Sequence, residues 1–119
     1  MDKQSLGQFG EEQAARYLRR RFYTILERNF RCRFGEIDLI AKRGGVLAFV
    51  EVKLRRDDSH GEAREFVTAQ KQQRVIAAAE QWLSLHETEL QPRFDVIEVY
   101  APRGEDGPVK VNHIENAFQ

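Results

Sequence analysis

The stretch GEIDLIAKRGGVLAFVEVKLR, from Gly35 to Arg55, constrains the fold more than any other part of the chain. Two strand-like apolar runs flank Gly44 and Gly45, a dipeptide suited to a tight hairpin turn. Glu36, Asp38, Glu51 and Lys53 interrupt those runs, and charged side chains are seldom fully buried unless they are paired or bind an ion. If the two glycines are the central turn residues, Arg43 sits opposite Val46, and every opposed pair has residue numbers with the same sum. Asp38 then faces Glu51, and Glu36 faces Lys53. Ile40 faces Phe49 on that same side, whereas Ile37 with Val52 and Leu39 with Val50 make the other side wholly apolar. Opposed β-carbons lie roughly 5 Å apart, where like charges repel. Asp38 against Glu51 therefore requires a protonated carboxyl or a cation. Lys53 offers one positive charge from the face of Glu51, and a divalent metal would offer more.

Around the hairpin the elements follow the order α, β, β, β, α, β, β. Residues 6–21 fit a helix with Leu6, Ala14, Ala15 and Leu18 on one face. On its helical wheel Glu11 falls among Ala14, Ala15, Leu18 and Phe22, near the middle of the apolar stripe, while Glu12 points away. The small residues Gly7, Ala14 and Ala15 let this helix approach the sheet and carry Glu11 towards the hairpin charges. The alternative is a Glu11 that caps nearby amides or pairs with an arginine. Residues 23–32, 36–43 and 46–55 read as three strands, and 56–66 as a polar loop. Thr68 is the expected N-cap of a helix running to about His86, with Val75, Ala79, Trp82 and Leu83 as its buried stripe. Pro92 closes the next loop, RFDVIEVYA is a fourth strand, PRGEDGP a turn, and VKVNHI a short fifth strand. The pattern is that of a mixed α/β domain with a central antiparallel hairpin.

At 119 residues the chain is expected to form a single domain, 1–119. No window approaches the length needed to span a bilayer, and MDKQSLGQFGEE lacks the apolar core of a signal peptide, so a cytoplasmic location without a membrane partner is expected. The lone Cys32 alternates within FRCRF as a half-buried side chain, with no adjacent histidine to make it a nucleophile. Net charge is zero, yet between Arg16 and Phe34 there are seven arginines and one acid, Glu27. Such a segment suits contact with phosphates; it also suits a solvated helix end followed by an edge strand guarded against aggregation. His60, His86 and His113 lack the spacing of a zinc site, Gly7 and Gly10 do not follow a strand as a dinucleotide cradle requires, and Trp82 reads as core.

GEIDLI and FVEVKLR, preceded by FGEEQAARYLRRRFYTILERNFR and followed by VTAQKQQRVIAAAEQWL, resemble the YraN family of uncharacterised bacterial proteins. The likeness runs from about Gly7 to Tyr100. That family is assigned to the restriction-endonuclease-like fold, a three-layer α/β domain whose mixed sheet has a central antiparallel hairpin flanked by helices, and is related to archaeal Holliday junction resolvases. Asp38, followed after twelve residues by Glu51, Val52 and Lys53, looks like the D...ExK signature of metal-dependent nucleases of this PD-(D/E)xK class.

The resemblance implies roles. Asp38 and Glu51 would ligate Mg2+, or Mn2+ in its place, with the main-chain carbonyl of Val52 as a further ligand. Lys53 would orient the attacking water or stabilise the phosphorane, and Glu11 resembles the first-helix glutamate of the resolvase-like branch. Lys71 stands where such proteins often carry a polar residue near the site. His60 is a departure, since relatives more often have an aromatic residue there. Magnesium favours oxygen ligands and makes coordinated water more acidic, as phosphodiester hydrolysis needs. Arg20, Arg31 and Arg33, with Arg55 and Lys71, would hold the nucleic-acid backbone, expected to be DNA in a branched or junction form, without reading bases. Three readings stay open at this point: a nuclease, a non-catalytic nucleic-acid-binding protein of the same fold, and a salt-bridge network of Asp38, Glu51, Lys53 and Arg55 on a solvated face. A homodimer is open as well.

Overall fold

Gly44 adopts a left-handed φ of +57°, and the two-residue turn sets the expected register, with Arg43 paired to Val46 and the ladder continuing to Leu39 and Val50. The computed structural model describes residues 3–56 and 68–119. His60 and the loop around it lie outside them. Five strands, β1 (Thr24–Cys32), β2 (Gly35–Arg43), β3 (Val46–Arg55), β4 (Gln91–Tyr100) and β5 (Lys110–Phe118), form one sheet in sequential order. All neighbours are antiparallel except β3 and β4, which run parallel. A parallel pair needs a crossover, and helix α2 (Ala69–Leu85) lies in that connection.

Each helix covers one face of the sheet. Helix α1 (Lys3–Arg20) buries Ala14, Ala15 and Leu18 against Leu39, Ala41, Ala48, Val50, Ile97 and Val99. Helix α2 buries Val75, Ala78, Ala79 and Trp82 against Ile37, Ile40, Leu47, Phe49 and Val96. The result is a mixed α/β fold, a five-stranded sheet between two helices. Strands β2, β3 and β4 are covered on both faces, which explains their continuous apolar runs. Thr68 caps α2 as its sequence suggests, its Oγ1 accepting from the Lys71 N–H at 3.1 Å.

Several local expectations are corrected. Gly7 is exposed and a Cβ there would meet nothing; Gly10 is the glycine against the sheet, where a Cβ would lie 3.4 Å from Leu54. Pro92 sits inside β4, opposite Leu47, rather than in the preceding loop. Strand β5 runs on to Phe118, which packs into the α2-side core. Glu12 turns to β1 instead of away, and accepts from Arg28 at 2.8 Å.

Phe22 is no part of the α1 stripe. It lies beyond the helix end, 87% exposed, with a left-handed φ of 70°. The Tyr23 N–H donates to the Leu18 carbonyl at 2.9 Å, the 6→1 bond of a helix-ending motif that favours glycine at the position Phe22 occupies. A side chain in this conformation costs roughly 1–2 kcal/mol. Phe22→Gly is therefore expected to raise stability by about 1 kcal/mol in urea unfolding; a loss instead would mean that the ring makes contacts worth more than the strain.

Candidate active site

The hairpin ladder stops at Leu39 and Val50, one step before Asp38 and Glu51 would oppose each other. The cause lies in two neighbouring strands. Arg28 pairs with Leu39 and Phe30 with Ile37, so Asn29 stands between them across from Asp38. Asn29 has a φ of 53°, a left-handed kink that asparagine tolerates better than most residues. Strict alternation would put Ile37 and Leu39 on one face, yet Ile37 joins the α2-side core and Leu39 the α1-side core. The expectation of a wholly apolar side shared by these two residues therefore fails. Strand β3 keeps its alternation, the strands part, and the Asp38 Oδ2 accepts the Val52 N–H at 2.8 Å where a backbone carbonyl would otherwise stand. Glu36 leaves the cluster altogether and pairs with Arg31 at 3.2 Å.

Into this opening come the other charged groups. The Glu51 side chain, 5% exposed, forms an ion pair with the Lys71 ammonium of α2. Burial, the negative charge of Glu51 and that of Glu11 push the Asp38 carboxyl up to about 7, against the opposing effects of the Val52 N–H and Lys71. Lys53 is pulled below the ordinary lysine range by burial and by the charge of Lys71, with Glu51 and Asp38 acting the other way. Burial alone would lower Lys71 too, but its bond to Glu51 and the two acidic charges raise it. The site thus joins Asp38, Glu51, Lys53 and Lys71, and the charge of Glu11 reaches Asp38 from the α1 side. Among the described residues no three His, Cys, Asp or Glu side chains converge as a metal-binding group. Two carboxylates are the acidic donors that the geometry assembles.

The residues expected to hold a nucleic-acid backbone separate. Arg31, Arg33 and Lys71 line one cleft beside Glu51, between the β1–β2 turn and α2. Arg20 lies with Tyr17, Arg21 and Arg43 near the hairpin turn, at the other end of β2. Arg55 is drawn inward, its Nε 2.7 Å from Glu98. Glu98 also accepts from Tyr100 and from Asn112, each at 2.8 Å. This network went unread in the sequence, although Glu98 interrupts the apolar run DVIEVY as plainly as Glu51 interrupts FVEVKL. Arg74 and Phe34 of the cleft were missed as well; an aromatic directly after an arginine and before a turn glycine was the available signal. Trp82 is core, its Nε1 donating to Glu27 at 2.9 Å.

No helix among the described residues is long and apolar enough to cross a membrane. The model of the uncharacterised protein family UPF0102 matches residues 10–99. A UPF0102 protein of Symbiobacterium thermophilum is 48% identical over 114 residues, 95% of each chain. One from Syntrophotalea carbinolica is 47% identical over 115 residues, 96% of this chain and 91% of the relative. Another, from Caldanaerobacter subterraneus, is 44% identical over 119 residues, 99% of this chain and 98% of the relative. With the match covering most of its length, the chain belongs to the uncharacterised protein family UPF0102, the YraN family that its paired acidic motifs resemble.

Proposed function

We propose that this protein is a magnesium-dependent endonuclease of restriction-endonuclease-like fold that hydrolyses phosphodiester bonds in DNA, with branched or junction DNA as the structural class. The observation that carries the reading is the meeting of Asp38 and Glu51 where β2 and β3 part. The donors fit the ion. Both carboxylates offer hard oxygens, and the N–H and C=O of a strand residue point to the same side, so the Val52 carbonyl faces the gap into which its N–H donates. When bound, magnesium supplies positive charge against the phosphoryl oxygens and makes water more acidic; manganese serves the same donors.

The side chains do the rest. Asp38 is held in place by the Val52 N–H. Lys71 neutralises Glu51 in the metal-free protein. Lys53 orients the attacking water or stabilises the charge that grows on the phosphoryl oxygens, a role that needs a fixed cation in a partly desolvated place. The second reading, a non-catalytic nucleic-acid-binding protein of the same fold, is favoured by one feature: a lysine already satisfies Glu51, with no third carboxylate converging among the described residues.

Cleavage of four-way, flapped and single-stranded DNA with magnesium or manganese separates the two. The wild type is expected to cut at least one of these, and Glu51→Gln and Lys53→Ala to cut at least about a hundredfold more slowly. Cleavage that survives in both variants sinks the assignment of the site. Binding without any cleavage puts the second reading in its place.

A further inference from the structure

Next to Glu51 a cleft of about 500 Å³ opens between the β1–β2 turn and the first half of α2, with Arg31, Cys32, Phe34, Lys71 and Arg74 among its walls. Its volume lies in the range of pockets that enclose a small ligand. Phe34, a large apolar side chain, is 40% exposed there. The Arg33 guanidinium lies 4.9 Å from the centroid of its ring, covering one face. The one acid on the wall, Glu36, is already paired with Arg31. The walls are pressed together at Gly35, where a Cβ would come within 2.8 Å of the Arg74 carbonyl oxygen and φ is +158°. No other residue fits that contact, so the turn carrying Phe34 is held firmly against α2. Lys71 belongs both to the cleft and to the ion pair with Glu51.

We propose, resting on the reading of this protein as a DNA-binding nuclease, that the cleft holds an unpaired nucleotide, its base stacked on Phe34 and its phosphate against Lys71 and Arg74. A base within a duplex has both faces covered by its neighbours, so the Phe34 ring is available only to an unpaired one. Stacking on an aromatic ring tolerates any base, and a guanidinium behind the ring adds a cation–π component. Arg74 and Lys71 supply the positive charge that a backbone needs. A cavity of this size takes a nucleotide but not a double helix, whose major groove alone is roughly 12 Å wide. Because Lys71 bridges the cleft and Glu51, a strand seated here runs directly to the paired carboxylates. Substrates with a single-stranded flap, gap or branch are therefore preferred to blunt duplex.

Cys32 is the only cysteine in the chain and lines the cleft, so it reports on occupancy in the native protein. Alkylation of Cys32 by N-ethylmaleimide without divalent metal is expected to slow about tenfold when a twelve-residue oligothymidylate is bound, and to be unaffected by a blunt duplex of equal length. By fluorescence anisotropy, Phe34→Ala is expected to bind the oligothymidylate about tenfold more weakly with duplex affinity unchanged, while Phe34→Trp retains binding. Undiminished alkylation with oligonucleotide bound, or wild-type affinity in Phe34→Ala, overturns the assignment of the cleft and leaves DNA binding elsewhere intact. Absence of binding to both nucleic acids overturns the cleft and the proposed substrate together. Absence of cleavage with protection of Cys32 retained removes the hydrolytic reading alone.

Discussion

Asp38→Asn will make the metal-free protein more stable at pH 8 while removing the metal-dependent cleavage proposed for it. In the folded protein the Asp38 carboxyl, buried beside Glu51 and within reach of the charge of Glu11, is pushed from its ordinary 3.8 up to about 7. Between those values the folded state keeps a proton that the unfolded chain has released, so stability falls as pH rises through this window, and the full penalty is present above pH 7. At about 1.4 kcal/mol per pH unit, reduced by partial solvation, the penalty is on the order of 2 kcal/mol. Asparagine removes the charge, and its carbonyl oxygen still accepts the Val52 N–H that Asp38 accepts at 2.8 Å. Urea unfolding in a chelator should therefore show a gain of about 2 kcal/mol at pH 8 and almost none at pH 4. Cleavage should fall by roughly a thousandfold or more, the loss of several kcal/mol of charge stabilisation. A variant no more stable than wild type at pH 8 would show that neither burial nor the charge of Glu51 raises this carboxyl in the folded protein. A gain in stability with cleavage intact would move the active site elsewhere.

Asp95→Asn will have the opposite effect, the largest loss of stability expected from any single carboxylate in the described residues. Asp95 is fully buried. It receives Arg93 through two bonds of 2.8 and 2.7 Å, His113 Nε2 lies 2.8 Å away, and the Asn116 N–H donates at 3.0 Å. Burial by itself would raise its pKa, but the bonds to His113, Arg93 and the Asn116 amide outweigh it and hold the carboxyl below its ordinary value. Its stabilisation is thus fully present above about pH 4 and is lost as pH falls through the depressed value. Removing the charge leaves the partly buried Arg93 with only the exposed Glu115, 3.8 Å away, as a counter-charge, and breaking such a pair typically costs about 3–5 kcal/mol. For a chain of this size the melting temperature should drop by about 10 °C or more at pH 7. Affinity for the proposed magnesium ion, measured by calorimetry below that temperature, should be unchanged, because Asp95 lies on the α1 face in register with Val50 and serves the scaffold. A variant as stable as wild type would mean that the network is held by its packing alone.

Much of the fold was legible because its signals are local. The turn glycines set the register from Arg43 to Leu39, Thr68 marked the start of α2, and period-2 alternation placed Glu51 and Lys53 on one face of β3. Errors arose where a neighbouring strand or helix overrode the period. The face change at Ile37 needs the Asn29 kink across the ladder. Phe22 matched the helical stripe by spacing, yet the helix ends before it. Arg55 looked free to meet phosphate until Glu98, distant in sequence, took it up.

The amino-acid sequence by itself determined the order of elements, the hairpin and the presence of Asp38, Glu51 and Lys53 near one end of it, since propensity, turn chemistry and side-chain alternation act over a few residues. Only the tertiary structure decided how those groups meet: that β2 parts from β3 at Asp38, that Lys71 arrives from α2 to sit on Glu51, and that Phe34 and Arg74 face one cleft. The reason is physical. Charges and rings act through distances of a few ångströms, and such distances between residues far apart in the chain are set by how the helices dock on the sheet.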